Sequence, residues 1–220
     1  MKPFLRDFVA DVVAAVECPD PVVEFGALQV EDWQDIDLRP LFPGREYLGT
    51  DIRPGPGVDR VEDLRALTLA DGEVGTAICL ETLEHCDDPL TAGRELARVV
   101  GDGGVCIVST PLLVGIHGYP HDYYRYMPEG MRRVLVDFDD VWVSGVGDPG
   151  MPDTVIAVAA NGRRLDLSLE RLPTVAAAQA KWERAEGLIR LGPFRYRPRE
   201  LAGSFARELA RIARERARRR

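Results

Sequence analysis

The segment CLETLEHCDDP, residues 79–89, places two cysteines, one histidine and several acids directly after an apolar stretch. Thiolates, imidazoles and carboxylates are the groups that hold metal ions, and a cysteine beside a histidine is also a pattern of nucleophilic catalysis. A segment that follows a buried strand can equally line a ligand pocket. The residue types alone therefore leave three chemistries open: a metal site, a nucleophile and a pocket wall.

A second segment, HGYPHDYYRYMP at residues 117–128, is rich in groups that could bind or activate a small molecule. Its histidines titrate near neutral pH, its tyrosines offer walls with hydroxyl groups, and its arginine could pair with a carboxylate or phosphate. The alternative is a packed lid whose histidines bond its own backbone and whose arginine pairs with Asp122. The candidate catalytic residues are His121, His117, Tyr124 and Arg125, with Tyr123 as a further wall.

A metal site is considered and not predicted. The residues that could converge on an ion are His85, His117, His121 and Asp122. Two histidines with a carboxylate form an open ligand set, but His117 and His121 lie in a loop with glycine and proline, where four-residue spacing does not aim both rings at one point. The four cysteines form no CxxC pair, so we expect reduced thiols without a role in the site.

Regular elements are predicted from the spacing of apolar residues. Helical spacing occurs at residues 4–16, 88–100 and 127–138, and short buried strands are predicted at 21–26, 46–52, 75–81 and 103–111. Alternation of strands and helices predicts a parallel sheet that binds ligands at the carboxyl ends of its strands. Residues 140–148 and 153–161 leave no room for a helix between them, so they should form an antiparallel pair at the sheet edge.

Side chains at these strand ends suit a nucleoside. Glu24 and Gly26 close the first strand, where a glycine allows close approach of a ligand to the backbone. Asp51 closes the second strand and could accept hydrogen bonds from both hydroxyls of a ribose. Asp63 could accept a hydrogen bond from an adenine amino group if it follows the next strand. Each of these residues is also common in ordinary turns, so their order along the chain carries the interpretation.

Other ligand classes are disfavoured. The loop GALQVE after the first strand lacks the G-x-G-x-x-G of dinucleotide sites, and no P-loop pattern is present. Residues 195–220 hold ten arginines and three glutamates, which gives them a net charge of +7. Because the net charge of the whole chain is −8, the rest of the chain carries −15. An acidic body repels phosphate backbones, so we expect no nucleic-acid partner. Without a long apolar run or a signal-like N-terminus, we expect a cytoplasmic protein.

Several motifs together resemble a class I S-adenosylmethionine-dependent methyltransferase of the small type-11 kind: VVEFG, YLGTDIRPGPGVDRVEDL, the segment 77–111, and HGYPHDYYRYMP. The resemblance covers about residues 20–162 and implies an α/β, Rossmann-like, seven-stranded and mostly parallel sheet with an antiparallel last strand and helices on both faces. It implies S-adenosylmethionine as cofactor. The residues it places on the cofactor are Glu24, Gly26, Asp51, Ile52, Asp63, Leu64, Leu80 and Glu81. The first loop departs from the family pattern, because Ala27 and Leu28 stand where many members have further glycines.

Within the resemblance, residues 79–89 become a strand-to-helix turn. Leu80 and Glu81 then lie along the sulfonium side of the cofactor, whereas Asp88 and Pro89 begin the next helix, where an acid suits the positive end of the helix dipole. Glu84 and His85 stay open between holding the turn together and reaching the methyl acceptor.

The domain prediction is a methyltransferase domain at residues 1–163, with residues 1–18 as a covering helix, and a helical extension at 164–220. Helices are predicted at 165–172 and 174–189, a break at 192–200, and an Arg-rich helix at 200–220. The apolar stripe of that last helix is Leu201, Phe205, Leu209 and Ile212. The stripe could pack on the domain or on a second subunit as a homodimer, lie on an anionic membrane surface, or bind a partner.

Two functions follow from the sequence. The first is an enzyme that transfers a methyl group from S-adenosylmethionine to an oxygen or nitrogen of a small molecule, mainly by aligning the acceptor with the methyl group. The second is a non-catalytic binding or scaffold protein of the same fold that acts through its basic C-terminal helix.

Overall fold

Seven strands form one sheet in the computed structural model of the chain, which describes residues 3–29, 37–118, 120–183, 189–191, 194–196 and 198–218. The strands are β1 (Val22–Phe25), β2 (Tyr47–Asp51), β3 (Arg60–Val61), β4 (Val74–Leu80), β5 (Val100–Pro111), β6 (Asp140–Asp148) and β7 (Met151–Ala160), in the spatial order β3-β2-β1-β4-β5-β7-β6. Strands β1 to β5 pair in parallel, whereas β7 is antiparallel to both β5 and β6. The predicted fold class is thus confirmed, including the antiparallel last strand of the main sheet.

The helices are α1 (Pro3–Ala15), α2 (Pro89–Val99), α3 (Pro128–Val134), α4 (Pro173–Glu183) and α5 (Pro198–Arg218). The start of α2 shows how the sequence fixes a boundary. The carboxylate of Asp88 accepts a hydrogen bond from the backbone N–H of Thr91 at 3.1 Å, and Pro89 occupies the first turn, where no backbone N–H is needed. The predicted helix start is confirmed.

The core lies in two clusters, one on each face of the sheet. Along β4, Ala77 and Cys79 belong to the cluster that includes buried residues of α2 and α3, while Ile78 and Leu80 belong to the cluster that includes buried residues of α1. Successive side chains of a strand point to opposite faces, so a continuous apolar run is the pattern of a strand buried on both sides. Helices therefore cover both faces, as predicted.

Residues after the sheet depart from the helical prediction. Residues 165–172 contain only a short 3-10 turn, Leu169–Arg171, because Leu165 and Leu167 alternate with polar residues and both pack against the core cluster that includes α1. Alternation with a period of two suits an extended segment, not a helix. Helix α4 is described only to Glu183, and the predicted helical residue Ile189 instead begins a small hairpin of β8 (Ile189–Leu191) and β9 (Phe194–Tyr196).

The Arg-rich helix is confirmed as α5, but its apolar stripe is not covered where the structure describes it. Phe205 is 62% exposed and Leu209 is 64% exposed, while Leu201 is half-buried; the side chain of Ile212 lies outside the described residues. In the described part of the chain, no helix is both long and apolar enough to cross a membrane.

Candidate functional site

One cavity of about 620 Å³ opens at the carboxyl ends of β1, β2, β4 and β5. Its volume is in the range of small-molecule and cofactor sites. The structure brings all eight predicted cofactor residues to its wall: Glu24, Gly26, Asp51, Ile52, Asp63, Leu64, Leu80 and Glu81. They come from four separate segments, and the parallel topology brings those segments to a single edge.

Gly26, directly after β1, has two structural reasons to be glycine. Its φ is +86°, a conformation that costs side chains with a Cβ, and an added Cβ would lie 2.0 Å from the hydroxyl oxygen of Thr82. Its backbone N–H donates to the carbonyl of Thr50 at 2.8 Å. The loop after β1 is therefore held against β2 and against the turn that follows β4.

The departure of this loop from the family pattern is accommodated by the loop after β2. Gly57, at φ +85°, passes so close to Ala27 that an added Cβ would lie 2.4 Å from the Ala27 carbonyl oxygen. The backbone N–H of Gln29 donates to the carbonyl of Pro56 at 2.9 Å. The segment RPGPG thus supplies glycines for close approach from the neighbouring loop, and both loops line the cavity.

Asp51 and Ile52 form the middle of the cavity wall. Asp51 ends β2, and its carboxylate accepts a hydrogen bond from the backbone N–H of Arg53 at 2.9 Å, which fixes its orientation. Ile52 is 50% exposed although it is a large apolar residue. An aliphatic side chain left bare beside an oriented carboxylate suits a flat apolar ring attached to a diol.

Asp63 follows β3, a two-residue edge strand too short to be predicted from its pattern. Its carboxylate is already paired with Arg65, with an Nη–O distance of 2.7 Å, and this arginine also pairs with Asp87 at 2.7 Å. The hydrogen bond from Arg65 lowers the pKa of Asp63, so the carboxylate is charged at neutral pH and can accept a further donor. The sequence predicted a role for Asp63 only if this residue follows the next strand, and in the structure it does follow β3.

At the far end of the cavity, Glu24 accepts a hydrogen bond from the hydroxyl of Tyr47 at 2.6 Å. Burial raises the pKa of Glu24, and the hydrogen bond from Tyr47 partly offsets this effect. Arg39 lies over the Tyr47 ring, 4.8 Å from its centroid, and lines the cavity. Arg39 is not predicted from the sequence, where the only indication of its role is a positively charged residue between the first two strands.

The end of β4 contains the one positive φ among the described residues that are not glycine. Glu81 has a φ of +50°, which is uncommon for a residue with a Cβ and clusters at functional sites. Its backbone N–H donates to the carbonyl of Ser109 at 2.9 Å, and the Ser109 hydroxyl contacts its carboxylate at 3.3 Å. The neighbouring strand therefore holds this turn and aims Leu80 and Glu81 at the cavity.

The other wall of the cavity is a loop between β5 and α3 that is tied to the turn at residues 83–87. The Glu84 carbonyl accepts the backbone N–H groups of Tyr123 and Tyr124 at 2.8 and 3.3 Å. The Tyr126 hydroxyl donates to the Leu83 carbonyl at 2.9 Å, and the Tyr124 hydroxyl donates to the Asp87 carbonyl at 3.0 Å. The loop is thus a lid with a defined seat.

The structure separates the four candidate catalytic residues into two pairs. His117 and His121 line the cavity, together with Tyr123. Tyr124 and Arg125 are not among its lining residues: Arg125 forms a bidentate pair with Asp122, which strongly lowers the pKa of that carboxyl, and Tyr124 bonds the adjacent turn. The catalytic role of all four residues stays a prediction; in the structure, Tyr124 bonds the turn at 83–87 and Arg125 bonds Asp122 within the lid.

Glu84 was left open in the sequence, and the structure gives it an unusual setting. Its side chain is completely buried, and neither carboxylate oxygen has a hydrogen-bond partner. The Nε2 atoms of His85 and His117 lie 3.7 and 4.0 Å from its Oε1. Burial, and then the charge of Glu81, raises the pKa of Glu84 well above its usual range.

The four cysteines do not have the properties of reactive groups. Cys18, Cys79 and Cys106 are buried, and burial raises the pKa of each thiol, so none is an activated nucleophile. Cys86 is half-buried and lines the cavity, and burial raises its pKa too. All four are free thiols.

Comparisons with known proteins agree with this geometry. The family model of a methyltransferase domain matches residues 44–108, from the approach to β2 into β5. No curated protein matches the sequence.

Similar solved structures share the fold. A chain of the Haloferax volcanii complex that contains the Trm112 methyltransferase activator is 17% identical, with 71% of this chain and 90% of that chain covered and a TM-score of 0.52. An S-adenosylmethionine-dependent methyltransferase from Thermotoga maritima is also 17% identical, covering 71% and 88% at a TM-score of 0.51. The CurJ carbon methyltransferase is 13% identical, covering 72% and 54% at 0.54.

Proposed function

We propose, for a chain that carries a class I methyltransferase domain, that the cavity binds S-adenosylmethionine and that the protein transfers its methyl group to an oxygen or nitrogen of a small-molecule acceptor. One observation carries the proposal. Eight residues assigned to the cofactor from the sequence, scattered between positions 24 and 81, line a single cavity at the carboxyl edge of the sheet.

The chemistry of the wall fits the parts of the cofactor in order. The exposed side of Ile52 and the charged acceptor Asp63 suit an adenine ring and its amino group, and oriented Asp51 suits the ribose diol. Glu24 suits the amino group of the methionine part, and Arg39 supplies a cation for its carboxylate. When bound, the cofactor supplies an electrophilic methyl group.

The residues of the lid then have two tasks. They exclude water from the methyl group, and they hold the acceptor in line with it, which supplies much of the rate enhancement for such a transfer. We place the acceptor against His117, His121 and Tyr123, because these side chains complete the cavity beyond Leu80 and Glu81. Among the similar structures, one carries the name of a candidate histamine N-methyltransferase and another is a carbon methyltransferase, so the atom methylated varies across this fold.

The test is ligand-dependent stability. S-adenosylhomocysteine at 100 times its Kd should stabilise the native protein by about 2.7 kcal/mol and raise its melting temperature. Asp51→Ala should remove most of this shift. Asp71→Ala is the matched control, since Asp71 is 83% exposed and pairs with Arg98 outside the cavity. The absence of any shift for the unaltered protein at millimolar ligand would contradict cofactor binding.

A scaffold role through α5 is the second candidate, and the exposure of Phe205 and Leu209 on an Arg-rich helix favours it. Large apolar residues at solvent suit a partner surface, and one similar structure is a complex with a methyltransferase activator. The double substitution Phe205→Ala and Leu209→Ala should abolish such an interaction and leave the S-adenosylhomocysteine shift unchanged. Residues 164–220 are proposed as the extension that carries this surface, and residues 1–163 as the catalytic domain.

A further inference from the structure

The trio of Glu84, His85 and His117 has the composition and convergence of a metal site. One ligand atom from each residue lies within 4.8 Å of the others. Metal–ligand bonds of about 2.0–2.2 Å require ligand atoms about 3 to 3.5 Å apart. The separations from Glu84 Oε1 to the two histidine Nε2 atoms, 3.7 and 4.0 Å, are somewhat larger, and the ligand atoms of the two histidines lie within 4.8 Å of each other, so a bound ion would draw the three side chains together.

The hydrogen bonds of both rings leave the converging nitrogens free to bind an ion. His85 Nδ1 lies 2.6 Å from the carbonyl oxygen of His121, and His117 Nδ1 lies 3.2 Å from the carbonyl oxygen of Gly115. Carbonyl oxygens only accept, so each Nδ1 carries the proton. In a neutral ring the lone pair is then on Nε2, the atom that faces Glu84. A second bond that fixes the tautomer is the usual arrangement of a metal-bound histidine.

The carboxylate of Glu84 has no hydrogen-bond partner, and a bound cation would supply the missing interaction. It is fully buried without a hydrogen bond, although buried polar groups are almost always paired. Its charged neighbours are Glu81 and Asp122, which are negative, and Arg125, which is bound to Asp122. The surroundings of the trio therefore favour added positive charge.

We propose that Glu84, His85 and His117 bind one divalent first-row transition-metal ion at the wall of the cavity. Two imidazoles and one carboxylate suit Zn²⁺, Fe²⁺, Co²⁺ or Ni²⁺ better than Mg²⁺, which prefers oxygen ligands. Three protein ligands leave further coordination positions open. In this arrangement His117 would hold the ion and would not act as a base, so His121 is the other histidine of the lid that lines the cavity.

The site also specifies the acceptor, and this step rests on the proposed function. His85 and His117 both line the cavity, so the open coordination positions are accessible to a bound acceptor. A Lewis-acidic ion binds an oxygen and eases loss of its proton. The acceptor class that fits is a small molecule with a hydroxyl or similar oxygen donor.

The experiment is a titration of the purified, EDTA-treated 220-residue chain with Zn²⁺ by calorimetry, with Co²⁺ absorption spectra as a readout of ligand geometry. We expect one ion per chain and a rise in melting temperature with Zn²⁺ but not with Mg²⁺. Glu84→Gln keeps the shape of the buried side chain, and His85→Ala and His117→Ala remove the imidazoles; each should weaken binding at least tenfold. Glu129→Gln, at a carboxylate outside the cavity whose side chain is 87% exposed, is the control and should bind Zn²⁺ as the unaltered protein does.

Each outcome decides the proposal. Absence of Zn²⁺ binding by the unaltered protein, or equal binding by His117→Ala, would overturn it. The His117 variant protects this test from a folding defect, because the ring is on the lid and 35% exposed, whereas Glu84 is inside the core. The S-adenosylhomocysteine shift, measured on the same samples, separates the two proposals: metal binding without a cofactor shift leaves the site standing and rejects the proposed function.

Discussion

The two halves of the cavity are built in different ways. The half that we propose to bind the cofactor, here called the cofactor half, is made of the eight assigned residues at the ends of paired strands, so the main-chain ladder of the sheet places residues such as Asp51 and Leu80. The half that we propose to bind the acceptor, here called the acceptor half, is the lid; its described residues, 112–118 and 120–127, form no strand or helix and are held by single hydrogen bonds to the turn at 83–87. Topology therefore positions the cofactor half, whereas hydrogen bonds between residues distant in the sequence, from both backbone and side chains, position the acceptor half.

The largest expected effect comes from the cofactor half. Gly26→Ala combines an unfavourable positive φ, about 1–3 kcal/mol, with overlap at Thr82, about 1–3 kcal/mol, so the free energy of unfolding should fall by about 2–6 kcal/mol. Urea denaturation measures this change, and the cofactor shift should be lost as well. Gly130→Ala is the control, since an added Cβ in α3 meets nothing within 4 Å and should be neutral or stabilising. Equal effects at both positions would show that the loop after β1 is not specially constrained.

In the acceptor half, we expect each hydrogen bond that holds the lid to contribute separately to the free energy of unfolding. Tyr126→Phe leaves the Leu83 carbonyl without its buried donor and should cost about 1–2 kcal/mol. Tyr124→Phe removes a similar bond to Asp87, but that tyrosine is 40% exposed and water can replace its hydroxyl, so we expect less than about 0.5 kcal/mol. Urea denaturation ranks the two variants. A larger loss for Tyr124→Phe would mean that the exposed bond, not the buried one, seats the lid.

The pH dependence of stability should report the buried end of the cofactor half. Burial raises the folded-state pKa of Glu24 above its unfolded value of about 4.3. The folded state then binds the proton more tightly, so the contribution of Glu24 is fully present below the unfolded pKa and is lost as pH rises through the folded pKa. Glu24→Gln should therefore gain stability relative to the unaltered protein across that window, by about 1.4 kcal/mol for each unit by which the pKa is raised.

Unfolding curves from pH 4 to pH 8 measure this difference for Glu24→Gln. Tyr47→Phe removes the hydrogen bond that lowers the Glu24 pKa and should extend the window to higher pH. Glu129→Gln, at a carboxylate with an 87% exposed side chain, is the control. A difference that stays constant with pH for Glu24→Gln would contradict the raised pKa.

We expect the smallest effect at Cys86, in the turn at 83–87 to which the lid bonds. Cys86 lines the cavity and is half-buried, whereas the other three cysteines are buried, so a maleimide should modify native protein at Cys86 first. S-adenosylhomocysteine should slow that reaction several-fold by covering the thiol. Mass spectrometry of the labelled peptide measures the rate, and Cys86→Ser should leave the native protein almost unlabelled. Protection at a buried cysteine without protection at Cys86 would place the ligand elsewhere.

The difference between the halves also explains what the sequence could predict. Strands such as β1 and β4 are short apolar runs with polar residues at their ends, and the parallel topology follows from their alternation with helices. The parallel arrangement of the strands is enough to place Asp51 and Leu80 at the same edge of the sheet. The resemblance to a known family supplied the rest of that half.

The parts that were missed depend on contacts between distant residues. Nothing in the sequence near Glu84 indicates that His117, on the lid, completes its surroundings, because that contact exists only after the lid bonds to the turn. Arg39 reaches the cavity by lying over Tyr47, which no spacing rule predicts. The segment 165–172 was misassigned because its leucines were counted as helical when their period is two.

The reversed direction of β7 separates the ends of the chain from the chemistry. Because β7 runs against β5, its last residue, Ala160, pairs with Val105 near the start of that strand, and Asn161 follows at the amino edge of the sheet, opposite the cavity. Everything after Asn161 is therefore attached on the far side of the fold. A reporter protein inserted beside Arg164, whose side chain is 89% exposed, would therefore lie on the side of the sheet away from the place where we propose that a methyl group is transferred.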